Sequence, residues 1–95
     1  MMKPTAVLIN TARGGVIDAV ALVEALTRGA LGGAALDVFE ETPLPREHPL
    51  RSLDNVVLSP HSAAYTEEAL AEVRKRPLAD ALRILRGETP RDAVP

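Results

Sequence analysis

An α/β fold with a small, mostly parallel sheet follows from three features of the 95-residue chain. Three apolar runs of strand length recur along it: "AVLIN" at 6–10, "GGAALDVF" at 32–39 and "NVVLS" at 55–59. Segments with an apolar helical face follow the first and the third. Strand, helix and strand in succession imply a right-handed parallel crossover. The length suits one small domain. Hydrophobic residues make up 46% of the chain and aromatics only 2%, Phe39 and Tyr65. The core must therefore be built from Ala, Val, Leu and Ile.

The elements can be justified in order. "AVLIN" is continuously apolar and carries no helical period, which fits a strand buried on both faces. "TARGGV" breaks it with two glycines. Asp18 is a good N-cap for "AVALVEALTR", where Leu22, Val23 and Leu26 share a face and Gly29 suits the C′ position. The small residues of "GGAALDVF" suggest close packing under a helix. Residues 40–52 are dominated by Pro, Glu and Arg and read as a long surface loop, with room for a short turn within 44–53. After "NVVLS", Thr66 can cap a long helix that has Glu67 and Glu68 in its first turn. Leu70, Val73, Leu78, Ala81, Leu82 and Leu85 give it an apolar stripe, and Gly87 ends it. Pro77 breaks a local rule, because it removes a donor inside a helix and crowds the Val73 carbonyl. That costs about 3 kcal/mol, so a kink or break is expected near residues 73–77.

Net charge is −2 and the sequence pI is about 5.6. This argues against a nucleic-acid or anionic-membrane partner. No cysteine is present, which excludes disulfides and thiolate chemistry. No stretch approaches ~18 apolar residues, so a soluble cytoplasmic protein is the expectation. His48 and His61 lie on different elements without metal-ligand spacing, and no metal site is expected.

Each strand ends in polar residues. The first gives Asn10, Thr11 and Arg13, the second Asp37, and the third Ser59 and His61. In a parallel sheet these ends share one edge, and ligands of open α/β sheets bind in the crevice outside it. His can pass a proton either way near neutrality. Arg is a fixed fork suited to a carboxylate, and Asp can accept amide or hydroxyl hydrogens. An acid/base beside a carboxylate clamp suits a 2-hydroxy or 2-keto acid. Taken singly, each residue also has an ordinary reading. Arg13 can be a solvated charge, Asp37 a turn or cap residue, and His61 a strand terminator. His48 and the glutamates at 40, 41 and 47 read as solvated loop, and Gly14-Gly15 as a tight turn.

Taken in order, "INTARGGVID…ALVEAL…GGAALDVFE…PLP…HPL…LDNVVLSPHSA" closely resembles the C-terminal half of the cofactor domain of the D-isomer-specific 2-hydroxyacid dehydrogenases, over roughly residues 2–87. "PHSAAYTEEALAEVR" is also similar to the branch that includes the C-terminal-binding-protein corepressors. The resemblance implies a partial Rossmann-type fold, with NAD as cofactor and NADP not excluded. It implies that Arg13 grips the substrate carboxylate and carbonyl. His61 would be the acid/base that protonates the carbonyl oxygen, and Asp37 would hold the nicotinamide carboxamide. Thr11 and Ala12 would line the nicotinamide side largely through backbone, and Ser62 and Ala63 would skirt it.

Two departures from the family pattern follow. The family carries a glutamate five residues after the aspartate, paired with the histidine. That position here is Thr42, whose hydroxyl can orient an imidazole but cannot stabilise imidazolium as an anion does. The glycine-rich dinucleotide fingerprint occurs nowhere, nor does a substrate domain. Residues 1–87 are therefore expected to be the C-terminal half of a dinucleotide-binding domain from a larger enzyme, with 88–95 a flexible tail. The implied function is a fragment of an NAD(P)-dependent oxidoreductase acting on D-2-hydroxy acids, inactive alone. The alternative is a non-catalytic remnant or interaction module in the corepressor-like direction. Expected partners are a small 2-hydroxy or 2-keto acid, and either a second copy or the N-terminal part of the enzyme.

Overall fold

The computed structural model describes residues 2–91 and 93. They form two compact units, the first ending at Ala63 and the second beginning at Ala64. The first contains β1 (Val7–Asn10), α1 (Ala19–Thr27), β2 (Gly33–Leu36) and β3 (Val56–Leu58), with single 3-10 turns at Gly14–Val16 and Pro49–Ser52. The sheet has three strands in the order β1-β2-β3, and both pairings are parallel. Each strand is the central part of a predicted apolar run. The Pro49–Ser52 turn falls in the loop expected to hold one.

Local chemistry sets the limits of α1. Asp18 accepts a hydrogen bond from Ala21 N at 3.0 Å, a cap worth ~1 kcal/mol. Gly29 follows the last turn at φ +66, a left-handed conformation that glycine adopts without a Cβ penalty. Leu22 and Leu26 of α1 join Leu31, Ala34, Leu36, Leu44 and Leu50 in one buried cluster, with Leu8, Val56 and Leu58 partly buried against it. The core thus lies on the sheet face that carries Leu8, Ala34, Leu36 and Val56.

The opposite face corrects one expectation. Val7, Ile9 and Val57 are 58%, 70% and 67% exposed. Ile9 aligns with Ala35, and Ala35 with Val57, so these side chains make one open apolar row. β1 is therefore not buried on both faces. Its side chains alternate between faces, and the buried leucines of α1 meet only one of them.

The second unit contains α2 (Glu67–Leu85). Thr66 Oγ1 accepts from Ala69 N at 3.1 Å, and Glu67 and Glu68 sit in the positive first turn, as expected. Helical backbone runs unbroken through Pro77, so of the expected kink or break the break does not occur. A break would sacrifice the intact turns on either side, whereas a continuous helix loses one hydrogen bond and absorbs a local clash. Leu70, Val73, Leu78 and Leu82 remain 38%, 64%, 64% and 44% exposed. Residues 92, 94 and 95 of the predicted tail lie outside the described residues. Before them, Thr89 O accepts from Arg83 Nε, and Arg91 N donates to Asp80 Oδ1.

Gly14 joins the loop after β1 to the loop after β2. A Cβ there would run into the backbone of Phe39 and Glu40, whereas one on Gly15 would meet nothing within 4 Å. Gly14→Ala should therefore destabilise the chain by ~1–3 kcal/mol or more through overpacking against backbone that cannot yield. Gly15→Ala should stay within about 0.5 kcal/mol. Denaturant unfolding of the two variants checks this, and equal effects would contradict the backbone contact.

Candidate functional site at the carboxyl edge of the sheet

The parallel register aligns Asn10, Leu36 and Leu58 in the last paired row. The next residues, Thr11, Asp37 and Ser59, therefore stand together at the carboxyl edge. The backbone continues the pairing: Asp37 N donates to Asn10 O, and Ser59 N to Leu36 O, both at 3.0 Å. The sheet thus delivers three of the predicted polar segments to one edge.

Asn10 is buried and organises the loop after β1. Its Nδ2 donates to Arg13 O at 2.9 Å, and its Oδ1 accepts from Ala12 N at 3.0 Å. This fixes the backbone of Thr11, Ala12 and Arg13. The Arg13 guanidinium is exposed and donates from Nη1 to Ala12 O at 2.6 Å. No hydrogen bond or ion pair joins Arg13 to Asp37 or His61 among the described residues.

Asp37 and His61 do meet, through the turn after β3. Asp37 is only 5% exposed. Its Oδ1 accepts from Ser59 Oγ at 2.5 Å and from Ser62 N at 2.8 Å, and its Oδ2 accepts from Ala63 N at 2.9 Å. Its carbonyl oxygen accepts from His61 N at 2.9 Å. His61 itself has φ 56, the only left-handed non-glycine among the described residues. Such a conformation costs ~1–3 kcal/mol and persists only where the surroundings over-determine it. The Ser59 hydroxyl, then the Ala63 and Ser62 amides and the charge of His61, hold the Asp37 carboxyl below the usual aspartate range despite its burial.

His61 lines a cleft of about 260 Å³ together with Asp37, Phe39, Thr42, Arg51 and Ser59. Thr42, where the resemblance implies a glutamate, therefore lines the same cleft as the histidine. The Thr42–Pro43 peptide is cis. Arg51 steadies the loop beyond it, donating from Nη2 to Leu44 O at 2.7 Å and from Nε to Pro45 O at 2.9 Å. His48, expected to be a solvated loop residue, instead accepts from Leu50 N through Nδ1 at 3.3 Å and caps the Pro49–Ser52 turn. Among the described residues no three His, Cys, Asp or Glu side chains gather as a metal site, and no helix is long and apolar enough to cross a membrane.

Three contributors escape a reading of the sequence: the Ser59 hydroxyl on Asp37, the Gly14 contact and the Arg51 clamp. Only Ser59 carried a signal, as a hydroxyl at a strand end directly before Pro60 and His61.

Comparison with known proteins agrees with this geometry. The sequence profile described as "D-isomer specific 2-hydroxyacid dehydrogenase, NAD binding domain" matches residues 1–63. A glyoxylate reductase of Thermofilum pendens is 54% identical over 89 residues, covering 94% of this chain and 26% of that protein. A probable 2-hydroxyacid dehydrogenase from Rhizobium etli, solved with NADP, HEPES and L(+)-tartaric acid, superposes with a TM-score of 0.76 at 38% identity, covering 96% of this chain and 28% of that one. The NAD-complexed D-isomer specific 2-hydroxyacid dehydrogenase of Lactobacillus delbrueckii gives a TM-score of 0.70 at 37% identity, covering 99% and 32%. The chain thus spans roughly a quarter to a third of the length of these relatives.

The hydrogen bonds on Asp37 predict an acid-sensitive turn. A carboxyl whose folded pKa is depressed contributes stability that is fully present above its unfolded value and lost as pH falls through the folded value. Protection of the Ser62 and Ala63 amides from solvent exchange should therefore be constant on the neutral side and fall away below the ordinary aspartate range. NMR exchange measurements against pH check this. Protection that persists in strong acid would contradict it.

Proposed function

The chain belongs to the D-isomer specific 2-hydroxyacid dehydrogenase family, within its NAD-binding domain. From that premise we propose that it supplies the nicotinamide end of the cofactor site and the proton-transfer histidine of an NAD(P)-dependent oxidoreductase acting on D-2-hydroxy acids. The observation that carries the reading is His61, held left-handed at the carboxyl edge by the buried Asp37 and opening on a cleft.

The residues present fit the nicotinamide end. Asp37 Oδ2 accepts one hydrogen bond from the chain, and a carboxylate oxygen has capacity for a second, so the amide of a nicotinamide carboxamide has an acceptor. The backbone of Thr11 and Ala12, ordered by Asn10, and that of Ser62 and Ala63 would flank the ring. When bound, the cofactor supplies or takes the hydride. The chain's own work is to move a proton at His61 and to bind the substrate carboxylate at Arg13. The exposed Arg13 guanidinium gives one N–H to Ala12 O and has further donors for a carboxylate. The reading includes a cytoplasmic setting and a small 2-hydroxy or 2-keto acid as substrate. The open row of Val7, Ile9 and Val57 favours a covering partner, either further sequence of the NAD-binding domain or a second copy.

Thr42 favours a second reading, a non-catalytic module, because the carboxylate that would stabilise imidazolium is replaced by a hydroxyl. One experiment separates the two. This chain replaces the corresponding segment of the Thermofilum pendens glyoxylate reductase, and glyoxylate-driven NADH oxidation is followed. Turnover should survive the exchange. His61→Ala should lower kcat by ~10²–10⁴, and Arg13→Ala should raise KM by about 10–100-fold through loss of a charged hydrogen bond. Thr42→Glu should extend the reducing activity to higher pH by favouring the protonated imidazole. A chimera that folds and binds NADH yet turns nothing over would leave the non-catalytic reading.

A further inference from the structure

The turn that carries His61 is held by four donors, all ending on Asp37: Ser59 Oγ, Ser62 N and Ala63 N on its carboxylate, and His61 N on its carbonyl oxygen. Three of the four are backbone amides, which any residue at those positions other than proline would supply. Pro60 has no N–H to contribute. The Ser59 hydroxyl is therefore the one donor that a particular side chain encodes. It also makes the shortest bond of the set, 2.5 Å against 2.8 and 2.9 Å, as expected for a hydroxyl on an ionised carboxylate.

The Ser59 bond matters because of where it acts. Oδ1 is shared by Ser59 Oγ and Ser62 N, so the hydroxyl fixes the carboxylate from the β3 side while the two amides grip it from beyond His61. Between these grips lies a non-glycine residue at φ 56. We propose that Ser59 is a positioning residue: its hydroxyl locks the Asp37 carboxylate and so holds His61 in the left-handed conformation at the rim of the cleft shared with Thr42. The functional meaning rests on His61 as the proton donor, while the structural statement stands without it.

The test uses the 95-residue chain by NMR, with Ser59→Ala and Ser59→Thr beside the unsubstituted protein. In Ser59→Ala the Ser62 and Ala63 amides should exchange at least tenfold faster. The His61 HN–Hα coupling and Cα shift should leave their left-handed values, while the Ala34 and Ala35 amides keep their rates. Ser59→Thr should restore all of these. A second measurement needs no variant: in the unsubstituted chain the Ser59 hydroxyl proton should be visible in slow exchange with solvent. The proposal is overturned if Ser59→Ala leaves His61, Ser62 and Ala63 unchanged, if it loosens the strands equally, or if no slow hydroxyl proton is found. None of these readouts involves cofactor or substrate, so failure of the proton-donor reading and failure of this one are distinguishable.

Discussion

A single buried residue, Asp37, gathers the hydrogen bonds around His61, through its carboxylate and its carbonyl oxygen. Asp37 extends β2 beyond its last paired residue and bonds back to β1 through its amide. With its side chain and its carbonyl oxygen it gathers the turn after β3. The parallel register is what makes this possible, because it sets Asp37 level with Ser59 at the sheet edge. Remove the register and the carboxylate has no donors. Remove the carboxylate and three donors lose their acceptor beside a backbone conformation that costs ~1–3 kcal/mol. Burial of Asp37 is tolerated for the same reason, since both of its carboxylate oxygens are hydrogen-bonded.

Much of the fold was legible because it is encoded locally. Asp18 and Thr66 cap their helices as their positions suggest, Gly29 and Gly87 take left-handed conformations just past the helix ends, and the three apolar runs become the three strands. What was not legible is non-local. The bonds from Ser59, Ser62 and Ala63 to Asp37 span 22 to 26 residues. Gly14 reads as an ordinary turn glycine until the backbone of Phe39 and Glu40 is seen against it. The apolar run of β1 says that both faces are apolar, but not that covering atoms lie within the same chain. Pro77 shows the opposite limit: its local penalty does not break α2, because the helical turns on both sides outweigh it.

The site itself was half legible. Asp37 and His61 meet as the strand-end argument requires, and Thr42 shares their cleft. Arg13 stands in the loop after β1, with its exposed guanidinium donating to Ala12 O of that loop. The edge therefore brings together a histidine whose backbone is tied to Asp37 and an exposed guanidinium.

The account stands on Asp37 holding His61, and Asp37→Asn tests it most directly. The substitution keeps the size of the side chain and an acceptor for Ser59, but it can turn an NH₂ toward the Ala63 amide, donor against donor. The HN–Hα coupling and Cα shift of His61 should then report a backbone that has left φ 56, with the resonances of β1, β2 and β3 in place. A left-handed His61 that persists in Asp37→Asn, with Ser62 and Ala63 still protected, would contradict the account.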